Sequence, residues 1–257
     1  MSEKVRFERD GAVCTLHIDR PEKRNALSPA MLSAIVDGIE SLDGDDEVRT
    51  LVVTGTGRAF SAGFDIDEFA GDSRDEGQAL FDRAVHALTG FSYPTIAMIN
   101  GDAIGGAVEL IAACDIRFGV RGARFGITPA KLGIIYGDRG VTRFVDVMGP
   151  ANTKELLFTA DLVDAERAKE MGLLNHLVEE NELEERTYAM ADRIASNAPL
   201  SLKGMKKVIH AVLEKRSLTD AEQAWVERIE REAFESRDHE EAVEAFAEGR
   251  DPEFEGH

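Results

Sequence analysis

The chain has 257 residues, of which 43% are hydrophobic, so it is long enough and apolar enough to bury a sizeable core. Its formal net charge is −19, from 49 acidic and 30 basic residues, which disfavours binding to nucleic acid or to an anionic membrane. The sequence has no apolar run of about 18 residues, so we expect no transmembrane helix.

The basic residues comprise 21 Arg and only 9 Lys. A strongly acidic surface that is poor in Lys is typical of proteins from a high-salt cytoplasm; an ordinary acidic enzyme is the alternative. Because the Debye length falls to about 3 Å at 1 M salt, we expect salt to favour folding or assembly. The charged N-terminus and the two cysteines within apolar runs, Cys14 and Cys114, favour a cytoplasmic protein with reduced, buried thiols.

The first predicted elements are a hairpin and a helix. Residues 4–9 and 12–18 alternate apolar and polar residues around Asp10-Gly11, which predicts two antiparallel strands. Ser28 and Pro29 then predict a helix start, with Ser28 as N-cap and Pro29 at the first helical position.

The remaining elements change in character along the chain. Strands are predicted at 49–54, 95–99, 116–118, 123–125 and 173–178, and helices at 73–90, 139–148, 151–159, 164–171, 181–196, 200–215, 218–236 and 238–247. This order predicts an α/β core over residues 1–199 and a helical region over residues 200–257.

Two Gly-containing segments, 60–66 and 100–110, each follow a strand-like run. Gly is favoured where the backbone turns sharply or touches a ligand, and the second segment continues into a helix-like stretch. The first N–H groups of a helix are unpaired and carry partial positive charge, and two such amides aimed at one carbonyl oxygen form an oxyanion hole. Packing alone is the alternative for either segment. Together, with Glu109 three residues after Gly106, they indicate a site that stabilises negative charge on a carbonyl.

These segments, with the motif at residues 20–27 (RPEKRNAL), resemble the crotonase superfamily, also called the enoyl-CoA hydratase/isomerase family. The resemblance extends from about residue 4 to the C-terminus. It implies an α/β spiral of ββα repeats and C-terminal helices that build a homotrimer or a dimer of trimers. It also implies an acyl-CoA thioester as substrate, as in fatty acid metabolism, with no metal and no cofactor besides the coenzyme A of the substrate.

The resemblance also implies roles for particular residues. The backbone N–H groups of Phe64 and Gly106 form the oxyanion hole, and Glu109 corresponds to the first of two hydratase glutamates. Its alternative role is that of an acid placed near a helix N-terminus. The other residues expected to bind substrate are Arg24, near a CoA phosphate or simply at the surface, Ala62, Asp65 and Ile66, around the adenine, and Ala26, Gly105, Thr128 and Pro129.

The second hydratase glutamate is absent, because Pro129 occupies its position four residues before Gly133. Proline cannot transfer protons, and loss of an acid–base group costs about 10²–10⁴ in rate. Thr128, Pro129 and Tyr136 are instead similar to the methylmalonyl-CoA decarboxylase branch of the family, although that branch has a histidine in place of Phe64. Loss of carbon dioxide from a malonyl-type thioester needs no initiating base and leaves an enolate that the oxyanion hole stabilises.

Two residues after the Thr-Pro pair keep alternative roles. Tyr136 either orients the substrate carboxylate or is a core aromatic residue with a satisfied hydroxyl. Asp138 either replaces the missing glutamate or is the N-cap of the following helix, paired with Arg139. We therefore expect decarboxylation, with hydration of an enoyl-CoA by Glu109, alone or with Asp138, as the alternative; an isomerase and a non-catalytic binding protein are less favoured.

Overall fold

The computed structural model describes residues 4–45, 47–65, 68, 74–214, 219–250 and 252. The strands are β1 (Val5–Asp10), β2 (Val13–Ile18), β3 (Thr50–Gly55), β4 (Ala59–Ser61), β5 (Thr95–Ile99), β6 (Asp102–Ile104), β7 (Ile116–Val120), β8 (Arg124–Gly126), β9 (Val163–Asp164) and β10 (His176–Val178). The helices are α1 (Pro29–Leu42), α2 (Arg74–Gly90), α3 (Gly106–Ala113), α4 (Asp138–Thr159), α5 (Ala165–Glu170), α6 (Leu183–Ala195), α7 (Pro199–Glu214), α8 (Asp220–Phe234) and α9 (Arg237–Glu248).

The strands form two sheets that the chain visits in turn. The larger sheet has the order β1-β2-β3-β5-β7-β10 and is parallel except for the β1–β2 hairpin. The smaller sheet has the order β4-β6-β8-β9. Each of β3, β5 and β7 is followed by a short strand of the smaller sheet and then by a helix. These repeated ββα units confirm the predicted α/β spiral.

The core is centred on the parallel strands. Every residue of β3 and β5 is buried, as expected for parallel strands that are covered on both faces. Helix α6 packs across β3, β5 and β7. The carboxyl ends of β3 and β5 lead into the two Gly-containing segments, so both segments begin at the same edge of the larger sheet.

Local signals in the sequence predicted the start of the chain well. The hairpin is confirmed, and Ser28 is the N-cap of α1, its Oγ accepting a hydrogen bond of 3.3 Å from the N–H of Met31. The helices predicted at 139–148 and 151–159 are the two halves of α4, which is interrupted at the non-helical Gly149. Cys14 and Cys114 are buried free thiols, as predicted.

Other predictions need correction. The strand predicted at 173–178 covers only His176–Val178, because the N–H groups of Leu173 and Leu174 bond to the carbonyl of Ala168 behind α5. Strands β4, β6 and β9 were missed, since two or three residues are too few to show alternation. Among the described residues, no helix is long and apolar enough to cross a membrane.

The helical end of the chain exposes apolar side chains. On α7 the exposed apolar residues are Leu200, Met205, Val208, Ile209 and Val212, and on α8 and α9 they include Trp225 and Phe246. Such a surface favours the predicted trimer contacts. The boundary after residue 199, the high-salt adaptation and the cytoplasmic location stay predictions.

Candidate active site

The smaller sheet brings the two Gly-containing segments together. Strands β4 and β6 pair in parallel, with Ala59 opposite Asp102 and Ser61 opposite Ala103. Gly63 follows with a φ of +84°, and a Cβ there would lie 2.6 Å from the carbonyl O of Ile104 and 3.0 Å from the N of Gly106. Only glycine fits this close approach, so the first segment packs directly on the start of α3.

The two predicted oxyanion donors lie next to each other at this junction. Gly106 is the first residue of α3, where the backbone N–H has no partner within the helix. Leu27 donates to the carbonyl of Gly63 (2.7 Å) and accepts from the N–H of Asp65 (3.0 Å). The carbonyl of Gly63 and the N–H of Phe64 belong to one trans peptide group and point in opposite directions, so the N–H of Phe64 points away from Leu27.

The ring of Phe64 forms an apolar wall over α3. A Cβ on Gly106 would lie 3.0 Å from Cδ2 and Cε2 of Phe64. The Phe64 ring also contacts Phe81 of α2, with centroids 4.6 Å apart. The side chain that replaces the histidine of the decarboxylase branch is therefore part of the packed wall of the site.

Buried polar contacts hold the first segment in place. Arg20 Nη1 donates to Asp65 Oδ2 (2.7 Å) and to the carbonyl of Ala26 (3.3 Å). Ser61 Oγ donates to the carbonyl of Asn25 (2.8 Å). Arg20, Asn25, Ser61 and Asp65 are all buried. The sequence prediction placed the backbone around Asp65 at the adenine. The Asp65 side chain has a separate role, because its carboxylate accepts a hydrogen bond from Arg20, a contact that sequence reasoning missed.

The expected coenzyme A contacts are only partly defined. The N–H of Ala62 donates to the carbonyl of Arg24 (2.9 Å), and the N–H of Asp65 donates to Leu27, so an adenine has to use other backbone atoms here. Arg24 is exposed, and its side chain forms no hydrogen bond or ion pair with another described residue, which suits a phosphate contact. Ile66 lies outside the described residues.

Glu109 is a buried carboxylate with one cationic partner. It lies in the first turn of α3 and is only 5% exposed. Its Oε1 accepts a hydrogen bond of 2.7 Å from Nη1 of Arg143 on α4. Burial raises the pKa of Glu109 to about 7, Arg143 opposes that rise, and Asp82 of α2 adds to it. At neutral pH this group can therefore either accept or donate a proton.

The side chains of Tyr136 and Glu109 both lie close to Gly140. A Cβ on Gly140 would lie 2.7 Å from Cδ1 of Tyr136 and 3.1 Å from Oε2 of Glu109, so both side chains face the same point of α4. The ring of Tyr136 packs edge-on against Phe144 at 5.4 Å. Burial, and then the charge of Glu109, raise the pKa of Tyr136 well above its ordinary value. Its hydroxyl therefore stays protonated and can donate a hydrogen bond.

Asp138 has a different setting from the one expected of an N-cap. The N-cap of α4 is Gly137, in an extended conformation, and Asp138 is the first helical residue, so the N-cap interpretation was wrong. Its Oδ2 lies 3.5 Å from Nε2 of Gln223 on α8. The charges that act on Glu109 are those of Arg143 and Asp82, whereas Asp138 raises the pKa of Asp82.

Thr128 and Pro129 start a single 3-10 turn, Pro129–Leu132, that ends at Gly133. Pro129 is buried, and Thr128 is half-buried. The start of α9 covers the end of this turn, because a Cβ on Gly133 would lie 2.8 Å from Cα of His239. The turn therefore has an apolar ring where a hydratase glutamate was expected. Gly105, also predicted to bind substrate, is the N-cap of α3 beside the oxyanion donor.

The sequence matches a known protein family and individual relatives over nearly its whole length. The chain matches the family described as "Enoyl-CoA hydratase/isomerase" over residues 8–257. It is 34% identical to the short-chain-enoyl-CoA hydratase of Clostridium acetobutylicum, over 96% of this chain and 95% of that protein. It is 32% identical to the methylmalonyl-CoA decarboxylase of Escherichia coli K12, over 95% of each chain.

A solved structure extends this similarity to three dimensions. Methylmalonyl-CoA decarboxylase complexed with 2S-carboxypropyl CoA superimposes with a TM-score of 0.93 at 30% identity, over 100% of each chain. The fold is that of crotonase-type enzymes, which act on acyl-CoA thioesters. The chain belongs to the enoyl-CoA hydratase/isomerase family.

Proposed function

We propose that this protein is an acyl-CoA lyase that removes carbon dioxide from a malonyl-type thioester such as methylmalonyl-CoA. The observation that carries the proposal is that Tyr136 and Glu109 both lie against Gly140, together with Pro129 in place of a second catalytic carboxylate. A protonated tyrosine donates a hydrogen bond to a substrate carboxylate, whereas proline has no proton to transfer.

The chemistry needs few protein groups. When the bond between the α-carbon and the carboxylate breaks, its electron pair moves into the thioester, and carbon dioxide leaves. The resulting enolate oxygen is held by the N–H groups of Phe64 and Gly106, each donor being worth roughly 10²–10³ in rate. Tyr136 orients the departing carboxylate. The α-carbon of the enolate then takes a proton from a solvent water molecule, which leaves as hydroxide, to give the saturated acyl-CoA.

Hydration of an enoyl-CoA is the second candidate, and the pKa of Glu109 favours it. A carboxyl group with a pKa of about 7 suits a general base that activates water near neutral pH. A hydratase, however, holds its water between two carboxylates. Asp138, the candidate for the second, contacts Gln223 and acts on Asp82 instead. This setting supports decarboxylation as the better proposal.

The experiment is a comparison of two substrates in molar salt. Purified protein is supplied with methylmalonyl-CoA and with crotonyl-CoA, and acyl-CoA products are identified by mass spectrometry. Wild type is compared with Tyr136→Phe, Glu109→Gln and Asp138→Asn. Tyr188→Phe is the matched control, because Tyr188 Oη pairs with Thr15 Oγ1 (3.0 Å) far from this site in the fold.

A decarboxylase should release carbon dioxide, leave crotonyl-CoA unchanged, and lose activity in Tyr136→Phe but not in Tyr188→Phe. Fast hydration of crotonyl-CoA that is abolished in Glu109→Gln and unaffected in Tyr136→Phe would reject the proposal. That result would establish the hydratase instead, and a further loss in Asp138→Asn would identify its second carboxylate.

A further inference from the structure

Arg143 was not expected from the sequence, yet it directly contacts the central acid of the site. It lies in the second turn of α4, and its Nη1 is 2.7 Å from Glu109 Oε1 although 34 residues separate the two. The two side chains are only 18% and 6% exposed. Such a pair is little screened by salt, so the guanidinium acts on Glu109 at nearly full strength.

Among the described residues, one other charged side chain and one tyrosine face Glu109. From α2 it faces Asp82, and from the segment before α4 it faces Tyr136. Its own helix contributes only buried apolar neighbours, such as Val108 and Leu110. A buried carboxyl group with a carboxylate as its only charged neighbour would stay protonated at neutral pH, because burial and like charge both disfavour ionisation.

We propose that Arg143 is a positioning residue that holds Glu109 towards Tyr136 and the substrate and favours its ionised form. An ionised Glu109 can only accept a hydrogen bond, whereas a protonated one would also donate. Arg143 thus decides which role the acid takes and over which pH range the site works. A guanidinium suits this task because it keeps its charge when buried. The inference rests on the site assigned under the proposed function, but not on which of the two reactions occurs there.

The test measures the protonation of Glu109 directly. Infrared spectra of the protein without substrate are recorded across pH, and the Glu109→Gln spectrum is subtracted to isolate the carboxyl band of Glu109. In Arg143→Gln the midpoint should move upward by about one pH unit or more, as expected when a charge in contact is lost. In Asp82→Asn it should move downward, because a like charge is removed.

Two further variants separate a specific contact from a general charge effect. Arg139→Gln removes an exposed cation one turn earlier on α4 and should leave the midpoint unchanged. Arg143→Lys keeps the charge and should restore most of the wild-type midpoint. If Arg143→Gln does not fold, Arg143→Met, an apolar residue of similar length, takes its place in the same measurement.

The pH dependence of kcat/KM on the preferred substrate should shift in the same direction and order as the infrared midpoints. An unchanged midpoint in folded Arg143→Gln or Arg143→Met would overturn the inference, as would an equal shift in Arg139→Gln. Absence of decarboxylation would count against the proposed function alone, because the infrared titration needs no turnover.

Discussion

One added methyl group at Gly140 should disable the site while leaving α4 nearly as stable as before. Gly140 is buried in the first turn of α4. A Cβ there would lie 2.7 and 3.0 Å from Cδ1 and Cε1 of Tyr136 and 3.1 Å from Oε2 of Glu109. Carbon atoms do not approach this closely without displacement, so Gly140→Ala must push the tyrosine ring and crowd the carboxylate.

The expected magnitudes differ for stability and for activity. Overpacking of a core costs about 1–3 kcal/mol, and replacing Gly by Ala in a helix returns up to about 1 kcal/mol. The free energy of unfolding should therefore fall by no more than about 2 kcal/mol. A displacement of reacting groups by about 1 Å can cost roughly 10² in rate, so kcat/KM should fall by about two orders of magnitude.

The assay compares turnover of the preferred substrate with denaturant unfolding at the same salt concentration. Gly204→Ala is the matched control, because Gly204 lies within α7 and a Cβ there would meet no atom within 4 Å. It should gain about 0.5–1 kcal/mol of stability and keep wild-type turnover. Wild-type kcat/KM in folded Gly140→Ala would refute the placement of Tyr136 and Glu109 at this point of the helix.

Four further predictions concern the oxyanion donor, the CoA contact, the pH dependence of stability and the oligomeric state. Gly106→Pro removes the N–H proposed as an oxyanion donor and should lower turnover by about 10² or more, and near-wild-type turnover in the folded variant would exclude this donor. Arg24→Ala should weaken CoA binding, and calorimetric titrations should show that the loss of affinity is larger at low salt. Unchanged CoA affinity at all salt concentrations would show that Arg24 is merely a surface residue. Because burial raises the pKa of Glu109 from 4.5 to about 7, the folded state retains this proton more tightly than the unfolded chain. As the pH rises from 4.5 to about 7, the free energy of unfolding of wild type should therefore fall by about 3 kcal/mol relative to that of Glu109→Gln. Denaturant unfolding that gives the same difference between the two proteins at every pH would show that Glu109 is not a buried carboxyl group with a raised pKa. Light scattering in molar salt should give a multiple of three of the 28.1 kDa chain, and a monomer would reject the predicted trimer.

Local chemistry explains what the sequence could predict. Ser28 caps α1 through its own Oγ, and Gly63 and Gly105 adopt positive φ values of +84° and +59°. These are local requirements of the backbone, so a short motif is enough to reveal them. Glu109 was placed at the site for the same reason, since it lies one turn from Gly106 on one helix.

What the sequence could not predict depends on contacts between distant segments. Strand β4 exists because Ser61 pairs with Ala103, and its three residues show no periodicity of their own. Arg143 reaches Glu109 only because α4 packs on α3, and no spacing in the sequence indicates that contact. The N-cap interpretation of Asp138 was wrong by one residue, because Gly137 adopts the extended conformation that a cap requires.

The proposed oxyanion hole by itself cannot distinguish the two candidate reactions, because both would pass through an enolate held by the same two amides. The difference must come from the groups that handle protons and water. Hydration loses about 10²–10⁴ in rate when one of its two acids is missing, and Pro129 stands where that acid would be. Decarboxylation loses nothing by this replacement, since its first step transfers no proton. On the proposed assignment, the same residues favour loss of carbon dioxide over addition of water, because only hydration needs the acid that Pro129 replaces.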